Sequence, residues 1–95
     1  MKKWKTIISF LTFIESLSDD EIRSVFHIDG DKIYFQCRFG NGSCCLYFKN
    51  NFKGIYYLVR EVDGITGGEH IKIGNDLKSH HLYKQIENIK NIINS

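Results

Sequence analysis

The residues with the most obvious chemical potential are three cysteines, Cys37, Cys44 and Cys45, which fall within a stretch of nine residues. Cysteines this close together bind metals, form disulfides or act as nucleophiles in other proteins. Zinc sites usually contain pairs spaced C-x₂-C, and no pair in this chain has that spacing. An odd number of cysteines in a chain without secretory signals favours reduced thiols. We therefore predict neither a metal nor a disulfide.

The other titratable residues form no arrangement typical of catalysis. His80 and His81 are adjacent, so their side chains would diverge by about 100° on a helix. Asp19, Asp20 and Glu21 fall in the first turn of a predicted helix, where the helix dipole favours acids. No nucleophile, base and oxyanion-stabilising group are recognisable together. The sequence therefore predicts a protein that is not an enzyme and holds no cofactor.

The cysteines lie on a predicted β-hairpin whose turn is Asn41-Gly42. Asn-Gly is strongly favoured in two-residue turns because both turn residues adopt positive φ. A turn at this position fixes the register of the two strands. The predicted pairs are Gly40 with Ser43, Phe39 with Cys44, Arg38 with Cys45, Cys37 with Leu46, Gln36 with Tyr47 and Phe35 with Phe48.

This register separates the cysteines between the two faces of the sheet, because side chains alternate along a strand. Cys37 and Cys44 would lie on an apolar face as small core residues. Cys45 would lie on the opposite face beside Arg38, whose charge would lower the pKa of the thiol. Cys45 is thus the candidate for a reactive thiol, although no histidine or acid is placed beside it.

Further strands follow the same reasoning. Residues 50–53 predict a four-residue loop, after which GIYYLVREV returns as a strand. That loop places Ile55, Tyr57 and Val59 on the apolar face and Tyr56, Leu58 and Arg60 on the other. Asp29-Gly30 predicts an earlier hairpin turn, and HIKI predicts a short final strand.

Helical segments flank these strands. Apolar residues at helical spacing predict a first helix from Trp4 to Leu17, and Ser18 with Glu21 forms a capping-box pattern for a short helix that ends by Val25. The C-terminal helix is predicted by a stripe of Leu82, Ile86, Ile89 and Ile93. The expected fold is α+β, an antiparallel four- to five-stranded meander with N- and C-terminal helices packed on one face, in a single domain of residues 1–95.

The outer face of this predicted sheet combines tyrosines with cations. Binding hot spots favour Tyr and Arg, which supply large contact area and directed hydrogen bonds. Aromatic and basic side chains on a sheet also bind single-stranded nucleic acid. The predicted partner-binding residues are Tyr34, Gln36, Arg38, Tyr47, Lys49, Tyr56 and Arg60.

Composition narrows the possible functions. A formal net charge of +2 gives no strong attraction to nucleic acid or anionic lipid, and the N-terminal apolar run is too short to span a bilayer. No small-residue cleavage site follows that run, so we predict a cytoplasmic protein with no membrane partner. The chain lacks Ala and Pro and is rich in Ile, Lys and Asn, which indicates an A/T-rich gene of the kind carried by phages and mobile elements.

These observations predict a small non-catalytic inhibitor that acts by binding a protein partner. The partner would be a toxin or a defence effector, and the protein an immunity protein, an antitoxin or a phage-type anti-defence inhibitor. The alternative is a nucleic-acid-binding module that uses the same Tyr/Arg/Lys face. The sequence does not define the oligomeric state.

Overall fold

The computed structural model describes residues 6–36, 43–62 and 68–95, without the side chains of Gln36, Ser43 and Val62. Within these ranges two helices precede five strands, and a third helix follows them. The elements are α1 Ile7–Ile14, α2 Asp19–Val25, β1 Phe26–Asp29, β2 Lys32–Gln36, β3 Ser43–Asn50, β4 Tyr56–Val62, β5 His70–Gly74 and α3 His81–Asn94.

The five strands form one antiparallel sheet in which each strand pairs with the next along the chain. All three helices pack on the same face of this sheet, which we call the inner face, because their buried residues belong to one apolar cluster with the side chains of that face. The predicted α+β meander is confirmed. The inner-face side chains in the cluster are Phe26, Ile33, Phe35, Cys44, Leu46 and Leu58, with Ile28, Phe48 and Ile71 at its margin.

An aromatic cluster joins α1 to the first two strands. The ring of Phe10 stacks on that of Phe35 with centroids 4.3 Å apart, and Phe26 meets both rings edge-on at 5.8 and 5.7 Å. Aromatic pairs of this kind stabilise by about 0.5–1.5 kcal/mol beyond the area they bury. From α3, Leu82, Ile86 and Ile89 are buried in the same core, as their spacing predicts.

Local capping explains where the first two helices begin. Thr6 caps α1 by accepting a hydrogen bond from the Ser9 amide. Glu69 Oε1 accepts a second hydrogen bond, from the Ile7 amide, at 2.7 Å. The first helix therefore begins at Ile7 in the described chain and is shorter than the predicted segment. Ser18 and Glu21 form the predicted capping box of α2, and this helix ends at Val25 as expected.

Arg23 of α2 forms hydrogen bonds with the C-terminal end of α3. Its Nε donates to the carbonyl oxygen of Ile92 at 3.0 Å, and its Nη2 donates to Ser95 Oγ at 2.9 Å. A guanidinium at this position satisfies a C-terminal carbonyl and opposes the negative end of the α3 dipole. The same side chain forms an ion pair with Asp20 at 2.8 Å.

The register of β2 with β3 differs from the one that the Asn41-Gly42 turn predicts. Ser43 pairs with Gln36 instead of Gly40, and Cys44 pairs with Phe35 instead of Phe39, a shift of four residues. Residues 37–42, including the predicted turn, lie outside the described residues. In the observed register Phe35 lies opposite Cys44 and packs against Phe10 and Phe26 in the core. Because the shift is even, the described side chains of β2 and β3 keep their predicted faces.

The register of β3 with β4 also differs from the predicted one, and this shift moves side chains to the opposite face of the sheet. Lys49 pairs with Tyr57 and Leu46 pairs with Arg60, three residues away from the predicted pairing. An odd shift exchanges the two faces of β4. Leu58 therefore packs in the core, fully buried.

None of the described helices has both the length and the apolar character that crossing a bilayer requires.

Candidate functional site

The face of the sheet opposite the helices is the candidate site, and we call it the outer face. Strand pairing defines its members, because residues paired across strands lie on the same side. The described outer-face side chains are His27, Asp29, Lys32, Tyr34, Cys45, Tyr47, Lys49, Tyr57, Val59, Glu61, His70 and Lys72.

Part of the predicted binding set occupies this face. Tyr34, Tyr47 and Lys49 lie on it, and Gln36 holds an outer-face position in the register. Arg38 lies outside the described residues. The structure therefore brings together the part of the predicted set that β2 and β3 supply.

Tyr56 and Arg60 are placed on the wrong face by the sequence prediction. Arg60 pairs with Leu46 and Tyr56 pairs with Asn50, which puts both on the inner side. The cause is the odd register shift between β3 and β4 described above. Tyr57 and Val59, which were predicted to face the core, lie on the outer face instead.

A polar cluster lies at the centre of the outer face, and we call Lys32, Cys45, Tyr47 and Glu61 the outer-face cluster. The hydroxyl of Tyr47 donates to Glu61 Oε1 at 2.8 Å, and the Cys45 thiol donates to Glu61 Oε2 at 3.5 Å. Glu61 is only 7% exposed and Cys45 only 5%. A buried carboxylate is costly unless donors satisfy it, so these two hydrogen bonds hold Tyr47 and Cys45 in place.

The cluster changes the acidity of its members. Burial, then the hydrogen bond to Glu61 and the charge of Glu61, raises the pKa of Tyr47 to about 12. Burial is also the main cause that raises the pKa of the Cys45 thiol, followed by the hydrogen bond to Glu61, while Lys32 opposes the rise. The sequence predicted the opposite direction because it placed Arg38 beside Cys45. The residues that pair with Cys45 on the two adjacent strands are instead Tyr34 and Glu61.

Two contacts cover tyrosine rings on this face, a cation–π contact and an aromatic stack. Lys32 Nζ lies 4.9 Å from the centroid of the Tyr47 ring. The rings of His27 and Tyr34 stack with centroids 5.2 Å apart and an interplanar angle of 12°. Each contact covers one face of a tyrosine ring and so restricts the movement of that ring.

The cysteine predictions have different outcomes, and the predicted divergence of His80 and His81 is wrong, because their rings stack with centroids 4.5 Å apart. Cys44 is buried in the core as predicted, but it is disulfide-bonded, so the prediction of reduced thiols is wrong. Its disulfide partner lies outside the described residues, and Cys45 is free. The predicted register paired Cys37 with Leu46, whereas Leu46 pairs with Ile33. Among the described residues, no group of three or more His, Cys, Asp or Glu is placed to hold a metal ion.

Sequence reasoning missed Glu61, Lys32 and Tyr57. Lys32 lies in the strand that was predicted, but its contact with Tyr47 depends on the register between β2 and β3. Glu61 and Tyr57 depend on the register between β3 and β4. One signal could have indicated the correct register of β4. Leucine is buried far more often than tyrosine, which favours Leu58 over Tyr57 as the core residue.

Comparisons with protein-family models, with curated proteins and with solved structures found no match to this chain.

Proposed function

We propose that this protein acts without catalysis, by binding another protein through the outer face of its sheet. The observation that carries the proposal is the outer-face cluster, in which Tyr47 is held by Glu61 and covered by Lys32. A fixed aromatic side chain loses little conformational entropy on binding, which is the property that binding hot spots exploit. Tyr34, stacked on His27, offers a second fixed ring on the same face.

The state of Cys45 supports a non-catalytic role. A nucleophilic cysteine needs a lowered pKa and access to substrate. Cys45 is buried, and its pKa is raised by that burial and by the hydrogen bond to Glu61. The thiol therefore acts as a donor within the cluster, where it helps to satisfy the carboxylate.

In this proposal the protein is an inhibitor that occupies a toxin or a defence effector, as an immunity protein, an antitoxin or a phage-type inhibitor does. The A/T-rich composition supports a phage or mobile-element origin. The small size of the chain is compatible with inhibition by occupancy, which needs a surface and no cofactor.

Cellular location is tied to the oxidation state of Cys44. The sequence predicts a cytoplasmic location, and a disulfide is more typical of an oxidising compartment. Mass spectrometry of the protein isolated from its native host under alkylating conditions distinguishes the two.

Co-purification from the native host followed by mass spectrometry supplies the partner, and calorimetry then tests the outer face. We expect Tyr34→Ala to weaken binding by about 1–3 kcal/mol while the fold is retained. The matched control is Ile8→Ala, which removes an exposed side chain from α1 on the other side of the sheet. An unchanged affinity of the Tyr34→Ala variant for the partner would show that the interface lies elsewhere on the protein.

Salt dependence separates this proposal from the nucleic-acid alternative. Binding of nucleic acid releases counterions and weakens steeply with salt, whereas a hot-spot protein interface responds less. An affinity for oligonucleotides that exceeds the affinity for the co-purified protein, with a steep salt slope, would favour the alternative.

A further inference from the structure

The turn between β3 and β4 presents a phenylalanine almost completely to solvent. Phe52 is 94% exposed, the most exposed of the large apolar side chains described. Lys53 follows it, with Nζ 5.7 Å from the centroid of the Phe52 ring. The turn therefore displays an aromatic ring beside a positive charge.

This turn is held by its own hydrogen bonds. Asn51 Oδ1 accepts from the amides of Lys53 and Ile55 at 2.9 and 3.0 Å. The Gly54 amide donates to the carbonyl oxygen of Asn51 at 3.0 Å, and Gly54 adopts a φ of +77°, which glycine tolerates without strain. The backbone that carries Phe52 is thus fixed in advance.

The helical layer contains a groove with matching properties. A cavity of about 320 Å³ opens where α1, α2 and α3 meet, and its floor is formed by Leu11, Ile14, Ile22 and Ile89. Glu15 and Asp19 lie at its edge, and none of the described residues that line it is a cation. Both acids are exposed. The groove is thus apolar inside and negative at its rim, which suits an aromatic ring that arrives beside a lysine.

The ring of Phe52 does not occupy the groove of its own chain, because it is 94% exposed. The turn that carries it follows β3, whereas the groove lies between the three helices. The hydrogen bonds to Asn51 Oδ1 hold the turn in this arrangement.

We propose that the Phe52 turn of one copy of this protein docks into the α1–α2–α3 groove of a second copy. Phe52 fills the apolar floor and Lys53 faces Glu15 and Asp19. The two contact surfaces are different, so the contact is heterologous, and copies add head to tail instead of closing as a two-fold dimer. The outer face takes no part in this contact.

The strength of the contact follows from its size. One aromatic ring and one lysine form an interface well below the roughly 1,200 Å² of stable complexes. Dissociation constants in the high-micromolar range are therefore expected, and self-association becomes visible only at high concentration. Salt should weaken it modestly, because the charges involved are exposed.

Analytical ultracentrifugation of the full chain tests this directly. From about 10 μM to about 1 mM, the weight-average mass should rise continuously above that of one chain, without a plateau at the dimer. A protein that stays monomeric at about 1 mM in low salt overturns the proposal.

Two variants each remove one side of the contact. Phe52→Ser removes the ring, and Asn88→Trp fills the groove from an exposed position on its lining. Each variant alone should lose association at least about tenfold, as truncation of a central anchor does. Ile8→Ser, at a half-exposed position on α1 that does not line the groove, is the matched control and should associate like the parent chain. Circular dichroism verifies that each variant folds.

A mixture of the two variants gives the sharpest result. The Phe52→Ser copy keeps its groove and the Asn88→Trp copy keeps its turn, so one contact is possible and the chain cannot extend. We expect a species of two chains in the mixture and monomers in the separate samples. Association of Phe52→Ser equal to that of the parent chain, or a mixture that remains monomeric, contradicts the docking.

Discussion

The inner and outer faces of the sheet are both buried at their centres, but by different means. The inner face is covered by three helices and filled with Phe, Ile and Leu side chains. On the outer face, Val59 is fully buried and Cys45 and Glu61 nearly so, although no described helix packs there. Hydrogen bonds among side chains organise the outer centre, whereas apolar packing organises the inner one.

This difference separates stability from recognition. Apolar burial under the helices contributes most of the folding free energy, because it scales with the area removed from water. A buried polar cluster contributes less, since desolvation offsets its hydrogen bonds, but it fixes side chains in one arrangement. We therefore expect substitutions on the inner face to change stability strongly, and those on the outer face to change it moderately.

The largest effect is expected at Ile86, which is 1% exposed on the inner side of α3. Ile86→Ala should lower the free energy of unfolding by about 2–4 kcal/mol, because it leaves a cavity in the core. Ile8→Ala makes the same chemical change at a half-exposed helical position and should cost about 0.5 kcal/mol or less. Urea denaturation measures both. Equal costs would mean that α3 is peripheral to the core.

The adjacent cysteines give a second contrast across the two faces. Cys44→Ala removes a disulfide and a core side chain and should cost about 2–3 kcal/mol. Cys45→Ala removes one weak donor to Glu61 and should cost about 1 kcal/mol. Denaturation without reductant compares the variants.

Mass spectrometry supplies the check on that pair. Alkylation after unfolding without reductant should label one thiol per chain, at Cys45. Labelling of all three cysteines would show that the disulfide does not form in solution.

Tyr47→Phe tests the outer-face cluster, because it deletes the hydroxyl that donates to Glu61. At neutral pH the loss should be about 1–2 kcal/mol, the cost of an unsatisfied buried acceptor. Tyr34→Phe, on the same face, is the matched control.

The same variant has a signature at alkaline pH. The pKa of Tyr47 is raised from 10.0 to about 12, so the unfolded tyrosine ionises first as pH increases. The stabilisation is complete below pH 10 and is lost between pH 10 and about 12. Tyr47→Phe should remove this part of the alkaline destabilisation. An identical pH profile for the variant would show that the hydrogen bond to Glu61 does not persist in solution.

The smallest effect is expected at Lys32, whose ammonium group lies over the Tyr47 ring. Lys32→Met keeps an unbranched apolar side chain and removes the ammonium group, so the loss should be about 0.5–1 kcal/mol. Thermal denaturation at low and high salt measures it. A loss comparable with that of Ile86→Ala would break the contrast between the faces.

The two hairpins explain how far sequence reasoning reaches in this protein. Between β2 and β3 the predicted register is displaced by four residues, and Phe35, Cys44 and Leu46 still face the core. Between β3 and β4 the displacement is three residues, and Tyr56, Leu58 and Arg60 exchange faces with their neighbours. The alternation of side chains is a local property, but its phase depends on which strand positions pair.

The sequence by itself determined the elements and the fold class. The sequence correctly predicts the capping box of Ser18 and Glu21 and the buried stripe of Leu82, Ile86 and Ile89. It does so because helix signals lie within a few residues of each other. Tertiary structure alone decided which polar residues meet on the outer face. Tyr47 and Glu61 are fourteen residues apart, and the register that joins them is set by packing on the opposite face of the sheet. Packing is a collective property of the core, so no local pattern around Glu61 predicts its partner.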